Sequence, residues 1–483
     1  MKTKLLSPFH DPLTTFLIAC AMSLMSLQVH SQDWNNCGGN SMRNGLSPIT
    51  GPDAPLILWQ GSEISLFGLP VLIEGNILVT SRYISGTNSP VFCYDLTTGQ
   101  LLWTADVTDG TGRSWPIGIR DGRVYVLRTL EAVGGDSLVA LDASTGDHLW
   151  TAEQTTSTNY VVGCTFADNG DLIVEGYLCL LRIDATDGST VWSAPIFPGV
   201  LGWLCPTIFG NTVYAQQNSS EPLVALDIAT GDIKYTKAVS PNAQGEIMVG
   251  ADGTIYVESY DAGQHLTALE DTGDSLHVLW TTPVTGYTVF YYMAESPDST
   301  IYAPSNGKIM RFLKTTGAII DSTDFLGDPD FFYSPMVSVG ADGKVYIAAG
   351  STVLCTEPDL TTIFSETVPN LNESGCALGP NHVMAVAGAG TELRVYRPIA
   401  DGAENAAPEK LHITLYPNPS KDILFIECSE IIDHMQCLNY LGQTVNVVLD
   451  NNFINISALS SGLYFIDIKT RGGKAMRDKF VKE

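Results

Sequence analysis

One phrase recurs along this chain and constrains its fold more than any other feature. It begins as Tyr94-Asp95-Leu96-Thr97-Thr98-Gly99 and ends on Trp103. Later copies place Asp142, Asp184 and Asp227 where the first has Asp95, at steps of 47, 42 and 43 residues. A period of about 40–50 residues with alternating, strand-like segments is typical of a β-propeller built from four-stranded sheets.

The residue types in the phrase suit a turn followed by an outer strand. The Asp carboxylate can accept N–H bonds inside its own turn, and the Gly supplies a backbone conformation that other residues resist. The Trp can bury its flat surface between neighbouring units. Pairs such as Asp121-Gly122 and Asp342-Gly343 predict the two-residue hairpins that join inner strands to their neighbours.

The number of units follows from where the inner strands are predicted to begin. The eighth unit stops after its third strand at Leu393–Tyr396, while Leu56–Trp59 precedes the first unit and has the character of an outer strand. We therefore predict an all-β, eight-bladed β-propeller that the N-terminal strand closes, followed by a small β-sandwich. The predicted inner strands begin near Pro70, Pro116, Val161, Cys205, Glu246, Met293, Pro335 and Cys376.

Charge and cysteine content narrow the classes of protein. The net charge is −27, and the excess acid lies in residues 32–408. Such a body repels phosphates, which argues against nucleic-acid binding, and it fits either solubility outside the cell or a patch for cations or basic partners. Nine cysteines follow residue 31 without zinc-ligand spacing. We expect most of them to be small buried side chains, with at least one unpaired.

The chain is predicted to begin with a signal peptide, residues 1–31. Lys2 and Lys4 precede an apolar stretch, and cleavage is expected before Gln32. Leu17-Ile18-Ala19-Cys20 offers an alternative, because it resembles a bacterial lipobox. No later stretch is apolar enough to span a membrane. The propeller is expected over residues 32–399, a linker over 400–408, and a second domain over 409–483.

The repeats resemble the pyrroloquinoline-quinone (PQQ)-like repeat, Ala-x-Asp-x-x-Thr-Gly-x-x-x-Trp, which Ala140–Trp150 matches closely. The run Asp33–Ser47 also resembles the segment that precedes such propellers. The resemblance covers about residues 33–398 and implies the fold. The family includes quinone-dependent alcohol and sugar dehydrogenases, and also cofactor-free scaffolds such as the propeller lipoprotein of the outer-membrane assembly machine.

The C-terminal part resembles the type A sorting domain of the type IX secretion system of Bacteroidota. Its motifs are Leu415–Ser420, then Ile456–Phe465, then the basic ending Lys479–Lys482. The resemblance implies that the outer-membrane translocon binds residues 409–483 and that the protein is secreted or held on the outer-membrane surface. In the family this domain is usually removed during export.

The sequence predicts no catalytic, cofactor-binding or metal-binding residues, and no cofactor. It has no adjacent cysteine pair like that of many alcohol-oxidising quinone enzymes, and its units are compact. Nucleophile-elbow, P-loop, HExxH and EF-hand motifs are also absent. The favoured function is a secreted binding or scaffold module. The alternative is a secreted enzyme, either a quinone-dependent oxidoreductase or a glycan-active protein.

Aromatic residues at or just before the inner strands, in six of the eight units, form the candidate ligand platform. These segments converge at one mouth of a propeller channel, where rings can stack on a glycan or contact a protein ligand. Packing between blades is the alternative. On the platform hypothesis, Trp115 and Trp203 should be partly exposed. The set is Phe67, Trp115, Tyr160, Trp203, Tyr292 and Tyr333.

Overall fold

The computed structural model divides the chain into two compact units, residues 1–399 and 400–483. The described residues run from 34 to 483, except for 62–70, 82–88, 109–111, 130–136, 155–162, 177, 197–204, 218–222, 239–246, 261–263, 285–292, 327–335, 370, 372–374, 388–392, 400–412, 429–431, 440–442, 446, 448, 451–452 and 471–474.

The described part of the first unit is made of strands and one short 3-10 turn, Pro380–His382. Its first strand is β1 (Leu56–Gln60). The strands that follow, grouped by sheet and given from inner to outer, are β2 (Leu72–Glu74), β3 (Ile77–Ser81), β4 (Val91–Asp95), β5 (Leu101–Ala105); β6 (Ser114–Arg120), β7 (Arg123–Arg128), β8 (Ser137–Asp142), β9 (His148–Thr151); β10 (Thr165–Phe166), β11 (Leu172–Gly176), β12 (Cys179–Ile183), β13 (Thr190–Ala194); β14 (Thr207–Phe209), β15 (Thr212–Gln216), β16 (Leu223–Asp227), β17 (Ile233–Lys237); β18 (Ile247–Val249), β19 (Ile255–Tyr260), β20 (Gln264–Asp271), β21 (Leu276–Val284); β22 (Ala294–Glu295), β23 (Thr300–Ser305), β24 (Lys308–Leu313), β25 (Ile319–Ser322); β26 (Ser338–Val339), β27 (Val345–Ala349), β28 (Thr352–Thr356), β29 (Thr362–Thr367); and β30 (Gly375–Gly379), β31 (Val383–Ala387), β32 (Arg394–Arg397).

These strands form eight four-stranded antiparallel sheets, here called blades 1 to 8 in chain order. Inner strands of neighbouring blades contact each other, as β2 contacts β6 and β26 contacts β30. Strand β30 of blade 8 also contacts β2 of blade 1. The blades therefore close into a ring, and the predicted all-β propeller architecture is confirmed.

The N-terminal strand β1 is the outer strand of blade 8. It pairs antiparallel with β32, so that Leu56 lies opposite Arg397 and Gln60 lies opposite Arg394. The predicted closure by this strand is confirmed. Because β1 precedes blade 1 in the chain but belongs to blade 8, one sheet joins the two ends of the propeller.

Five tryptophans on outer strands hold neighbouring blades together. In each case the indole N–H donates to a backbone carbonyl in the Asp-Gly phrase or equivalent turn of the next blade, and the ring covers the glycine of that turn. The N···O distances are 2.7 Å for Trp59 to Leu96, 2.8 Å for Trp103 to Ala143, 3.1 Å for Trp150 to Ala185, 2.9 Å for Trp192 to Ile228 and 2.7 Å for Trp280 to Lys314. The covered glycines are Gly99, Gly146, Gly188, Gly231 and Gly317.

The Asp of the phrase organises its own turn, as predicted. Asp95 Oδ1 accepts the backbone N–H groups of Thr97 and Thr98 at 3.1 and 2.7 Å. Gly99 ends the turn with a φ of 71°, a left-handed conformation that a side chain would strain. Short polar turns and buried alternating strands therefore arise from the same repeated phrase.

The cysteines of the described residues behave mainly as small apolar side chains. Seven of the eight whose burial is described are buried, and Cys179 is half-buried. Burial raises the pKa of the Cys93 thiol to about 12, so this side chain stays protonated at neutral pH. The prediction that most cysteines are small buried side chains is confirmed for this group.

The second unit is also built from strands: β33 (Ile413–Tyr416), β34 (Ile423–Cys428), β35 (Ile432–Asn439), β36 (Thr444–Val445), β37 (Leu449–Asp450), β38 (Phe453–Asn455), β39 (Gly462–Thr470) and β40 (Ala475–Lys482). They form two four-stranded sheets, ordered β33-β34-β38-β37 and β36-β35-β39-β40. Leu424 and Ile454 of one sheet and Ile466 and Phe480 of the other share one buried core. This arrangement agrees with the predicted small sandwich.

Within the described ranges, no helix has the length and apolar character needed to cross a membrane. The predicted signal peptide and the alternative lipobox around Cys20 both lie outside the described residues.

Candidate functional site: the channel and its N-terminal plug

The chain immediately before β1 runs past the inner edges of the blades. Residues 34–51, here called the N-terminal plug, place backbone carbonyls opposite the inner strands of successive blades. Inner strands are sheet edges, so their outward N–H groups need acceptors when they are buried. The N–H groups that donate to the plug belong to Ile73, Ile119, Ile208, Val249, Glu295 and Val339, and their acceptors are the carbonyls of Trp34, Asn35, Ser41, Met42, Asn44 and Gly45 in that order.

The two remaining blades reach the plug through side chains. The Asn36 amide donates to the Cys164 carbonyl of blade 3 at 3.2 Å. Thr50 Oγ1 hydrogen-bonds His382 Nδ1 of blade 8. The plug thus contacts all eight blades in chain order, which requires it to circle the inside of the ring.

Polar side chains of the plug are buried and hydrogen-bonded to each other. Asn40 Nδ2 donates to Asn44 Oδ1 at 2.6 Å, and Arg43 Nε donates to the Cys37 carbonyl at 3.2 Å. Arg43 is only 3% exposed although it carries a charge. The plug therefore carries buried polar groups that are satisfied by other groups of the plug.

A charged cluster on blades 5 and 6 anchors the plug. Glu295 Oε2 accepts from Asn44 Nδ2 at 3.1 Å and from the Ala251 N–H at 2.7 Å. Lys314 pairs with Glu295 and, at 2.9 Å, with Asp252. Burial alone would lower the pKa of Lys314, but hydrogen bonds to these two carboxylates outweigh it and raise the pKa. The lysine is therefore held charged, and the cluster fixes the side of the plug that carries Asn44.

Glycines allow the plug to turn tightly against its surroundings. Gly39 has a φ of 84°, and an added Cβ would come within 2.9 Å of the Trp34 ring. Gly45 has a φ of 61°, and an added Cβ would meet the Cβ of Ala294 at 2.7 Å. The repeat pattern did not predict the plug. Its signal was the run of Asn and Gly between residues 35 and 45, which has no strand period yet directly precedes the closing strand.

Of the predicted aromatic platform, the structure describes only Trp115. It is 4% exposed and packs in a buried cluster with Cys37 of the plug, Ile117, Cys164 and Met336. The expected partial exposure of Trp115 is wrong, because its ring lies within this buried cluster. Phe67, Tyr160, Trp203, Tyr292 and Tyr333 lie outside the described residues, so the platform they form stays a prediction.

The described residues hold no group of three His, Cys, Asp or Glu side chains arranged to bind a metal ion. The run Asp168–Asp171, whose sequence comes nearest to a calcium loop, lies between β10 and β11 as a hairpin turn. Gly170 N–H donates to the Ala167 carbonyl at 2.9 Å, and Asp171 pairs with Arg182 at 2.8 Å. The Asp171 carboxylate is therefore engaged in an ion pair with strand β12.

The repeat, the ring and the docked tryptophans define a propeller of PQQ-like repeats. The family model described as "Outer membrane protein assembly factor BamB" matches residues 56–176 and 179–363, and the chain belongs to this family. A second model, "Secretion system C-terminal sorting domain", matches residues 414–483. This domain marks proteins that the type IX system exports, so the protein is secreted or displayed on the cell surface.

Solved structures show the same fold at low sequence identity. A europium-containing methanol dehydrogenase is 13% identical, with a TM-score of 0.52 over 77% of this chain and 92% of its own. The computationally designed Ika8 protein is also 13% identical, with a TM-score of 0.52 over 71% and 99%. The C-terminal WD40 domain of Sif2 is 11% identical, with a TM-score of 0.52 over 70% and 97%. No curated protein matches the chain.

Proposed function

We propose that the exported protein is a binding or scaffold module that holds its ligand at the channel mouth formed by the segments before the inner strands. The observation that carries this proposal is the plug itself. It hydrogen-bonds to all eight blades at their inner strands or the residues next to them, which holds the ring together around one segment. A rigid ring that presents loops on one face is a common support for a binding site.

The predicted aromatic residues precede the inner strands in the chain, so the platform is expected at the channel mouth where these segments converge. Trp203 is its largest remaining ring, and either a glycan or a protein loop would suit its stacking faces.

A titration of intrinsic tryptophan fluorescence against a glycan array subset and candidate surface proteins tests this function. Trp203→Ala should weaken binding by about tenfold or more while the melting temperature stays near that of the parent. The matched control is Trp192→Ala, which removes a docked ring and should lower stability instead. Equal ligand binding by Trp203→Ala and the parent would place the ligand elsewhere.

The enzymatic alternative has its own direct test. Pyrroloquinoline quinone and calcium are added to the purified chain, and the absorbance spectrum is followed after gel filtration. The binding-module proposal predicts that no quinone chromophore elutes with the protein. A stoichiometric protein-bound chromophore with alcohol-dependent reduction would replace the proposal with an oxidoreductase.

A further inference from the structure

The outward face of one sheet in the second unit carries an aromatic ladder. Side chains alternate along its strands, so Leu415 and Leu424 enter the core while Tyr416 and Phe425 point outward. Tyr416 is 44% exposed and Phe425 is 37% exposed. Phe453, on the neighbouring strand, is half-buried. Tyr416, Phe425 and Phe453 are called the aromatic face below.

The three rings are cross-strand neighbours. Phe425 pairs with Tyr416 on one side and with Phe453 on the other. The Tyr416 and Phe425 rings stack with centroids 5.5 Å apart, and the Phe425 and Phe453 centroids are 6.1 Å apart. Contiguous exposed apolar surface is rare on soluble domains except where a partner binds, and aromatic rings are enriched at such interfaces.

The aromatic face is continuous with the segment that identifies the sorting domain. Tyr416 opens the Tyr-Pro-Asn-Pro turn, and Asn418 in that turn ties it to the C-terminal strand. The Asn418 amide donates to the Lys479 carbonyl at 3.0 Å, and its oxygen accepts the Val481 N–H at 2.9 Å. Sorting requires that the secretion machinery contact this domain, and the face lies within the matched residues 414–483.

We propose that the aromatic face is the surface on which a protein of the type IX secretion machinery docks. The three rings are uncharged, and Ile423 extends the aromatic face along β34 with 42% exposure. The surface therefore suits an apolar protein cleft better than a charged lipid or nucleic-acid surface. This inference rests on the export of the chain by that system, and it adds which surface is recognised.

The test follows export of the full chain in a type IX-competent bacterium, with intact protein measured in the periplasm, on the surface and in the medium. Phe425→Thr keeps a residue suited to a strand but removes the central ring. The exported fraction should fall about tenfold, with intact protein accumulating in the periplasm, because central aromatic residues dominate docking energy. Phe425→Tyr should restore export.

The matched control is Leu149→Thr on strand β9 of the propeller, where Leu149 is 45% exposed. It removes a comparably exposed apolar side chain and should leave export near the parent level. Tyr416→Thr serves as a second variant of the face, and thermal melts of all purified variants show that they fold. Normal export of both face variants, or an equal loss in the control, would overturn the proposed docking surface.

A chain that lacks residues 409–483 separates this inference from the export route itself. Periplasmic retention of that chain together with normal export of Phe425→Thr would mean that the domain sorts the protein through another surface. Normal export of the truncated chain would overturn both the sorting role in this protein and the docking surface.

Discussion

Seven of the eight blade junctions are of two kinds, and their difference shows what the repeated phrase encodes. At five junctions a tryptophan ring lies against the turn glycine of the next blade and donates a hydrogen bond beside it. Between blades 4 and 5, Tyr235 occupies the tryptophan position, and a Cβ added to Gly273 would meet nothing within 4 Å. There the contact is made by Tyr214, whose hydroxyl donates to Asp271 at 2.5 Å.

The difference between the junctions explains why some copies of the Asp-Gly-Trp phrase have lost their tryptophan or glycine. The tryptophan of one blade packs on the turn glycine of the next. Where the tryptophan is absent, the packing no longer requires a glycine in that turn. Between blades 6 and 7 the outer strand has no tryptophan, and the Tyr302 hydroxyl instead reaches the Pro358 carbonyl at 2.7 Å. Hydroxyl contacts replace ring packing at these two junctions.

The largest expected effect comes from deleting residues 34–60, which removes the plug, the closing strand and the Trp59 junction together. We expect loss of the cooperative thermal transition of the propeller, because six inner strands lose buried N–H partners and blade 8 loses a strand. Differential scanning calorimetry measures this. A chain without residues 400–483 is the control and should retain the transition. An unchanged melting temperature in the N-terminal deletion would refute the closure.

Trp150→Ala should be the most damaging single substitution at a docked junction. The ring is 7% exposed, and its removal leaves a cavity and an unpaired Ala185 carbonyl. The free energy of unfolding should fall by about 3–5 kcal/mol in urea titrations. Tyr235→Ala, at the other kind of junction, should have a smaller effect because that ring is only half-buried. Similar losses in the two variants would erase the distinction between the junctions.

A pair of glycine variants isolates the ring contact from backbone strain. Gly188 and Gly273 have φ values of 78° and 92°, so an alanine at either strains the backbone by about 1–2 kcal/mol. Only at Gly188 would the new Cβ also clash, lying 2.5 Å from the Trp150 ring. Gly188→Ala should therefore destabilise the protein by about 1–3 kcal/mol more than Gly273→Ala. Chemical denaturation of both variants gives the difference directly, and equal values would contradict it.

The smallest expected effect concerns the pH dependence of the hydroxyl-bonded junction. Burial raises the pKa of Asp271, but hydrogen bonds led by that of Tyr214 outweigh it, so the pKa lies below its ordinary value. A carboxyl whose pKa is lowered on folding stabilises the protein above its unfolded-state pKa, and this stabilisation is lost as pH falls through the folded-state pKa.

Tyr214→Phe should therefore lower stability by about 1–2 kcal/mol at neutral pH and less under acid conditions. Urea titrations at pH 7 and pH 3 measure the difference, with Tyr302→Phe as a control because its hydroxyl partner is a carbonyl that does not titrate. An identical loss at both pH values for Tyr214→Phe would show that Asp271 does not respond to this bond.

The sequence predicted the ring, the eight units and the closing strand because each rests on a local pattern that repeats. Asp95 and Gly99 indicate the turn that they form, and Trp103 indicates the blade junction in which it packs. The incomplete last unit indicates that another strand, Leu56–Trp59, must complete it. The plug could not be predicted in this way. Its carbonyls serve strands that are up to about 300 residues distant in the chain, and a run of Asn and Gly carries no period.

The candidate site shows the same limit. Trp115 was predicted to be partly exposed because it stands at the start of an inner strand, as the other platform residues do. It lies instead in a buried cluster that includes Cys37, a residue of the plug that no local pattern connects with blade 2. The exposure of side chains near the inner strands is set by the N-terminal plug. The repeat pattern alone does not predict it.

The N-terminal plug ties every blade to one segment, and hydrogen exchange at the inner strands is the measurement that tests this role. Residue-resolved exchange by mass spectrometry can follow the amides of Ile119, Val249 and Val339, which donate to carbonyls of the plug. These amides should exchange as slowly as those of buried strand β7 in the intact chain. Rapid exchange at these three positions, with β7 still protected, would contradict the role of the plug in holding the inner strands.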